Sequence, residues 1–272
     1  MSQTPLIDEL LDVAQAAAAA GAKVLSGRNA GEFNATNKSG DGDWVTAFDI
    51  AAEEAVREVI TGARSTDAIT GEELGTSMSD DFSGIRWSID PLDGTTNFIR
   101  NIVYYCTSVA ACDREGNWLV GVVNAPALGR IYWATKDGGA WITEGGATRE
   151  LPGPVTGRKG GILGTGFSYD EDLRADQVKD FLPMMKGLSD MRRLGSAALD
   201  LCMVGDATLD AYGERGLNEH DWAAGALIAE ESGAWVHRPQ LPSPLEGGPT
   251  EPDRLAAWIA ASAPDLSARF PV

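Results

Sequence analysis

Hydrophobic positions along this chain change period several times, and each change predicts an element. Over residues 5–25 the apolar side chains recur at helical spacing, with Leu6, Leu10, Val13 and Ala17 on one face. The alanine run inside that stretch is a strong helix former rather than low complexity. A polar, glycine-rich loop follows over 26–43, and loops of this kind often carry function. Thr46 or Asp49 opens a second helix through Ile60, with Ala52, Val56 and Val59 inward. Residues 68–71 read as a short strand ending at Glu72 and Glu73, and residues 86–89 as another, stopped at Pro91.

From 103 to 141 the pattern becomes β-rich: SVAACD, LVGVVNAP and RIYWAT are split by turn signals such as Arg114-Glu115-Gly116-Asn117. A turn at 136–139 leads into a strand at 140–143. The second half alternates strands (161–164, 191–194, 207–212) with helices (174–185, 197–204, 222–232). A Pro/Gly-rich loop covers 238–253, and 255–260 reads as a final buried strand. Such alternation predicts a layered α/β (α+β) fold. The Pro/Gly-rich stretch 151–161 is the expected boundary between an N-terminal α+β lobe (1–150) and a C-terminal α/β lobe (151–272). At 272 residues, one large domain and two lobes sharing a cleft are both open.

A formal charge of −18 argues against a nucleic-acid binder or a membrane binder working through a basic face. It leaves room for an anionic substrate, because bound cations reverse the local sign of an acidic site. Cys106, Cys112 and Cys202 form no CxxC pair and have no histidine cluster beside them, so neither a disulfide framework nor structural zinc is expected. A reducing cytoplasm fits that usage. Asp8, Glu9 and Asp12 interrupt the N-terminal apolar residues, unlike a signal peptide, and no apolar run reaches membrane-spanning length.

The stretch richest in chemistry is WSIDPLDGTTNF, from Trp87 to Phe98. Asp90 and Asp93 flank a proline that holds Asp90 extended, and the chain must turn at Gly94, so both carboxylates can converge on one ion. A hard cation such as Mg²⁺ takes one or two carboxylates plus substrate phosphate, and free N–H groups at a helix start suit that phosphate. Asp-Pro and Asp-Gly are also ordinary turn formers. Glu72-Glu73 can project from a strand end or simply face solvent. Asp221, Ser196, Thr46 and Asp49 each sit where a helix cap would.

Taken in order, GEE, WSIDPLDGTTNF, RRLGSAALDLCMV and HDWAAGALIAEESG resemble the inositol monophosphatase family, Mg²⁺-dependent and lithium-sensitive phosphomonoesterases, over about residues 43–262. The resemblance implies an αβαβα sandwich and a homodimer. It implies two or three Mg²⁺ held by Glu72, Asp90, Asp93, Asp221 and the Leu92 carbonyl. Glu73 would hold a water on the metal or support the ligands. Asp49 and the Thr95 hydroxyl would orient and deprotonate the attacking water. Gly94, Thr95 and Thr96 would meet the phosphate, Gly195, Ser196 and Ala197 would line the pocket, and Glu214 would accept hydrogen bonds from substrate hydroxyls.

The chemistry follows: phosphate monoesters resist hydrolysis, and metal-activated water meets that demand better than Asp or Thr alone. The chain offers no CxxxxxR nucleophile and only two histidines. Two features depart from the family pattern. His220 stands where a Trp is usual, either tuning the pocket, touching substrate or filling an aromatic-sized space. FIRNIVYY is a less familiar variant that bears on the leaving group. Lys38 matches a lysine the family keeps and could order water.

The expected partner is a small phosphorylated metabolite, first of all myo-inositol 1-phosphate, which RRLGSAALD and Glu214 favour. Histidinol phosphate (its amine held by Glu214 or Glu219) and fructose 1,6-bisphosphate are the alternatives. A 3′-phosphoadenosine nucleotide lacks an obvious base pocket. A non-catalytic regulatory protein of this fold is a further alternative, opposed by the full set of carboxylates.

Overall fold

The computed structural model describes residues 4–28, 36–37 and 44–272, with side chains from 6–28 and 46–272. Most of the expected 26–43 loop lies outside these residues, as do Lys38 and Asp43. Helix α1 (Thr4–Ser26) is followed by a short ribbon of β1 (Thr36–Asn37) and β2 (Trp44–Val45), and then by helix α2 (Ala47–Ala63). The strands β3 (Ala68–Gly71), β4 (Gly75–Ser77) and β5 (Arg86–Asp93) come next, then helix α3 (Thr95–Ile99). An antiparallel run follows: β6 (Cys106–Cys112), β7 (Trp118–Ala125), β8 (Arg130–Thr135), β9 (Ala140–Glu144) and β10 (Ala147–Glu150). These strands form an eight-stranded sheet in the order β10-β9-β8-β7-β6-β5-β3-β4, with only the β3–β5 pair parallel.

The second half supplies β11 (Ile162–Thr165), α4 (Glu171–Met184), β12 (Asp190–Arg192), α5 (Ala197–Gly205), β13 (Ala211–Arg215) and α6 (Glu219–Glu231). It closes with β14 (Trp235–His237), α7 (Glu251–Ala256) and β15 (Trp258–Ser262). Its sheet runs β12-β11-β13-β15-β14.

Strand alternation decides the layers, because successive side chains face opposite ways. Val109, Ala111 and Val122 pack with Leu10, Val13, Val56 and Ile60 of α1 and α2. Their neighbours Ala110, Cys112 and Val123 face the other way and meet Leu201, Ala224 and Ile228 of α5 and α6, together with Tyr212 and Ile259 of the second sheet. The outer face of that sheet, with Leu163, Ala211 and Ala260, is covered by Met184 and Phe181 of α4 and by Phe270. The result is an αβαβα sandwich. β5, β6 and β7 are buried along their whole length; β7 is accordingly almost all apolar, whereas β5 also buries Arg86, Ser88, Asp90 and Asp93.

Several expected bounds move. β5 does not stop at Pro91 but continues to Asp93 through a bulge: Asp90 pairs with Ser108 and Asp93 with Cys106, so one extra residue sits on β5. A proline is tolerated there because the bulge asks for no ladder N–H, and its carbonyl accepts a hydrogen bond from Thr107 Oγ1 at 2.9 Å. The strand expected at 207–212 begins at Ala211, since Ala207 adopts φ +66° in a turn. α4 and α6 each start three residues earlier than expected, at Glu171 and Glu219. The 238–253 loop contains the start of α7, capped by Thr250, and this delays the last strand to Trp258. The short strands β4, β10 and β14 carry too few apolar residues to show as periodic runs.

Candidate active site

The β5 bulge is the first local device. It places Asp90, 1 % exposed, and Asp93 at consecutive ladder positions of one strand end, with Leu92 between them. Asp90 Oδ1 accepts from the Leu92 N–H at 3.0 Å. The chain then reverses at Gly94, where φ is +98° and a Cβ would lie 2.9 Å from the Tyr104 carbonyl oxygen, so only glycine fits. Asn97 pins the turn: its Nδ2 donates to the carbonyls of Tyr104 (2.7 Å) and Leu194 (2.8 Å), linking α3 to the segment before α5.

Two capping boxes deliver two more acids. Thr46 caps α2, and Asp49, three residues on, accepts from the Thr46 N–H at 2.7 Å and the Thr46 hydroxyl at 2.6 Å. Asp221 holds the corresponding place in α6 and accepts from the Asn218 N–H at 2.6 Å. Both aspartates are therefore structural capping groups. The Thr95 hydroxyl lies 3.0 Å from both Asp49 Oδ1 and the Leu92 carbonyl, so it can donate to either.

The second sheet's side closes on the first through Asp93. Asp93 Oδ2 accepts from the Ser196 hydroxyl at 2.7 Å and from the Ala198 N–H at 2.8 Å, at the start of α5. Ser196 thus clasps a carboxylate across the cleft, which motif reading alone did not show. Glu214, from β13, accepts from the Tyr212 hydroxyl at 2.6 Å, and burial pushes its carboxyl up to about 7.

Burial and mutual repulsion raise this group of acids together. Burial pushes Asp90 well above the usual carboxylate range, aided by the charges of Glu72, Asp93 and Asp221. Asp93 is pushed up to about 8, by burial first and Asp221 second. Asp221 and Asp49 are also raised, each chiefly by burial. Carboxylates, a backbone carbonyl and acids that repel one another form the donor set a divalent cation takes, so the residues present fit one. Among the described residues, ligand-capable atoms of Glu72, Asp90 and His220 all lie within 4.8 Å of one another. His220 Nε2 is buried, has no hydrogen-bond partner among the described residues and stands 3.8 Å from Asp221 Oδ1.

A cavity of about 750 Å³ opens over these groups. Glu72, Asp90, Leu92, Asp93, Gly94, Thr95 and Thr96 line one side of it. Gly195, Ser196, Ala197, Glu214 and Asp221 line the other. Asp49 stands behind Thr95. Glu73 is not among the lining residues, and its backbone N–H donates to Glu53 Oε2 at 2.7 Å. Glu219, weighed as an amine holder, faces a different cavity and forms an ion pair with Arg86, so it is withdrawn from the site.

The cavity also holds residues that sequence reasoning passed over: Tyr169 and Arg174 around the start of α4, Arg193, and Arg254 of α7. Arg193 had a signal, lying inside RRLGS. Arg254 had none, because a six-residue helix inside a Pro/Gly-rich stretch has no readable period. The three cysteines are buried and unpaired, and no helix among the described residues is long and apolar enough to cross a membrane.

Comparisons with known proteins show the family and the fold. The model of the inositol monophosphatase family matches residues 6–266. An inositol-1-monophosphatase of Mycobacterium bovis is 37 % identical over 95 % of this chain and 90 % of its own. A Nus factor SuhB of Pseudomonas aeruginosa is 36 % identical over 84 % of each. The solved inositol monophosphatase of Anabaena superposes with a TM-score of 0.76 at 29 % identity, covering 96 % of this chain and 93 % of that one. With the family model spanning nearly the whole chain and the fold matching throughout, this protein belongs to the inositol monophosphatase family.

Proposed function

We propose that this protein is a Mg²⁺-dependent phosphomonoesterase that hydrolyses a small polyol phosphate, with myo-inositol 1-phosphate as its first candidate substrate. The observation that carries the reading is the convergence of Glu72, Asp90, Asp93 and Asp221 on one cavity, with the Asp49–Thr95 hydrogen bond at its wall. Glu72, Asp90, Asp93, Asp221 and the Leu92 carbonyl would hold two or three cations, and Glu73 would support them from behind. Bound there, divalent cations would lower the pKa of water and offset charge on the phosphate.

The chain's own groups account for the proton. With its hydrogen turned to Asp49 Oδ1, the Thr95 oxygen is free to accept a proton from an attacking water while passing its own to Asp49. Burial raises Asp49, which makes it a better acceptor near neutral pH than an exposed carboxylate. The first turn of α3, capped by Gly94, would turn the Thr95 and Thr96 N–H groups to the phosphate oxygens. Gly195, Ser196 and Ala197 would shape the far wall, and Glu214 would read substrate hydroxyls. A homodimer in a reducing cytoplasm fits the family and the free cysteines.

The test is phosphate release at fixed Mg²⁺, with and without lithium. The panel is inositol 1-phosphate, histidinol phosphate, fructose 1,6-bisphosphate and 3′-phosphoadenosine 5′-phosphate. A lead for inositol 1-phosphate, lost with lithium or chelator and cut at least about a hundredfold by Asp90→Asn, supports the reading. A lead for another ester keeps the site and reassigns the substrate. A second reading, a Nus factor role without turnover, draws on the Pseudomonas relative. It would gain ground if Mg²⁺ bound and no ester were hydrolysed.

A further inference from the structure

His220 is the second residue of α6, directly before Asp221. Among the described residues its buried Nε2 has no hydrogen-bond partner, and Asp221 Oδ1 at 3.8 Å is too far to supply one. A buried imidazole nitrogen left unpaired is destabilising, and a ligand that fills the gap removes that cost. A ring nitrogen of His220 lies within 4.8 Å of carboxylate oxygens of both Glu72 and Asp90. Two donors on one ion at about 2.1–2.3 Å stand about 3 Å apart if adjacent and about 4.4 Å apart if opposite. At most one of the three pairs can be opposite on one ion, so the others must close to about 3 Å, and from 4.8 Å that asks for side-chain movement of up to about 1.8 Å to bring all three onto a single cation.

We propose that His220 supplies a nitrogen ligand to a divalent cation that Glu72 and Asp90 also hold, and that this biases the position toward Mn²⁺, Co²⁺ or Zn²⁺ over Mg²⁺. The inference rests on the carboxylate metal site proposed above and adds a donor to it. Mg²⁺ favours oxygen ligands and keeps its waters, whereas imidazole suits the later first-row ions. Those ions bind most sites more tightly than Mg²⁺ in any case. What His220 contributes is thus the difference between the wild-type protein and a variant without the imidazole.

The experiment loads the full chain with Mn²⁺ and reads nitrogen coupling by pulsed electron paramagnetic resonance, with Mn²⁺ and Mg²⁺ affinities measured by titration and competition. The chain has only two histidines, and the other, His237, stacks on Trp235 in β14. The expected result is an imidazole ¹⁴N signal in the wild type and in His237→Gln that disappears in His220→Gln. Mn²⁺ affinity should fall at least about tenfold in His220→Gln, with Mg²⁺ affinity changed less than about threefold. Mn²⁺ that binds, depends on Asp90 as shown by Asp90→Asn, and carries no nitrogen signal would overturn the role of His220 and leave the carboxylate site standing. Mn²⁺ binding insensitive to Asp90→Asn would remove both. Should His220→Gln fail to fold, the wild type compared with His237→Gln still decides, because a signal surviving the loss of His237 has only one source.

Discussion

A methyl group at Gly94 would sit 2.9 Å from the Tyr104 carbonyl oxygen and 3.3 Å from that of Gly195, on a backbone with φ +98°. Close approach and positive φ make the same demand, so Gly94→Ala should cost about 1–3 kcal/mol of stability. Because the residue also caps α3, the variant should lose phosphate release more than tenfold even where it stays folded. Thermal unfolding beside steady-state kinetics checks both, and a fully active variant of unchanged stability would contradict the account. Asp90, Asp93 and Gly94 were legible because their spacing and turn chemistry are local. Glu219 was misread because its partner, Arg86, is distant in sequence and close only after folding.

Between elements, one side chain joins the start of α5 to the end of β5. Ser196 Oγ donates to Asp93 Oδ2 at 2.7 Å and accepts from the Leu199 N–H at 3.4 Å, acting as helix cap and carboxylate clasp together. Ser196→Ala should lower stability by about 1–2 kcal/mol through the lost cap. It should also weaken Mg²⁺ binding severalfold, since Asp93 loses a donor that orients it. Denaturant unfolding and calorimetric titration read the two effects separately, and unchanged Mg²⁺ affinity would refute the clasp. The helices α1, α2 and α5 were readable from period and caps. β5 was cut short at Pro91 because a bulge is made by pairing with β6, which no local pattern announces.

Across the whole molecule, charge and burial set a pH dependence. Asp93 is raised from 3.8 to about 8 and Glu214 from 4.5 to about 7, both by burial, and Asp90 and Asp221 move the same way. Each raised acid binds its proton more tightly folded than unfolded. Its contribution is fully present below its unfolded pKa and is lost as pH rises through its folded pKa. Without divalent cations, the protein should therefore lose stability between about pH 4 and about pH 8. Adding Mg²⁺ or Mn²⁺ at pH 8 should raise Tm by more than about 3 °C, and by less at pH 5, where Asp93 and Glu214 hold their protons. Melting curves at the two pH values, with and without cation, decide it; a metal-free Tm that does not fall from pH 5 to pH 8 would contradict the shifts.

The chain alone determined its layered α/β class and the order of most elements, because apolar period and turn chemistry act over a few neighbours. It also named the acids and glycines gathered at Asp90 to Thr95, whose chemistry is written in one continuous segment. Only the tertiary structure decided that the capping aspartates Asp49 and Asp221 lie, respectively, against Thr95 and on the cavity. It alone turned Glu219 away and brought the His220 ring within 4.8 Å of Glu72 and Asp90. Those outcomes depend on distances between segments far apart in sequence, and only packing the sandwich brings such segments together.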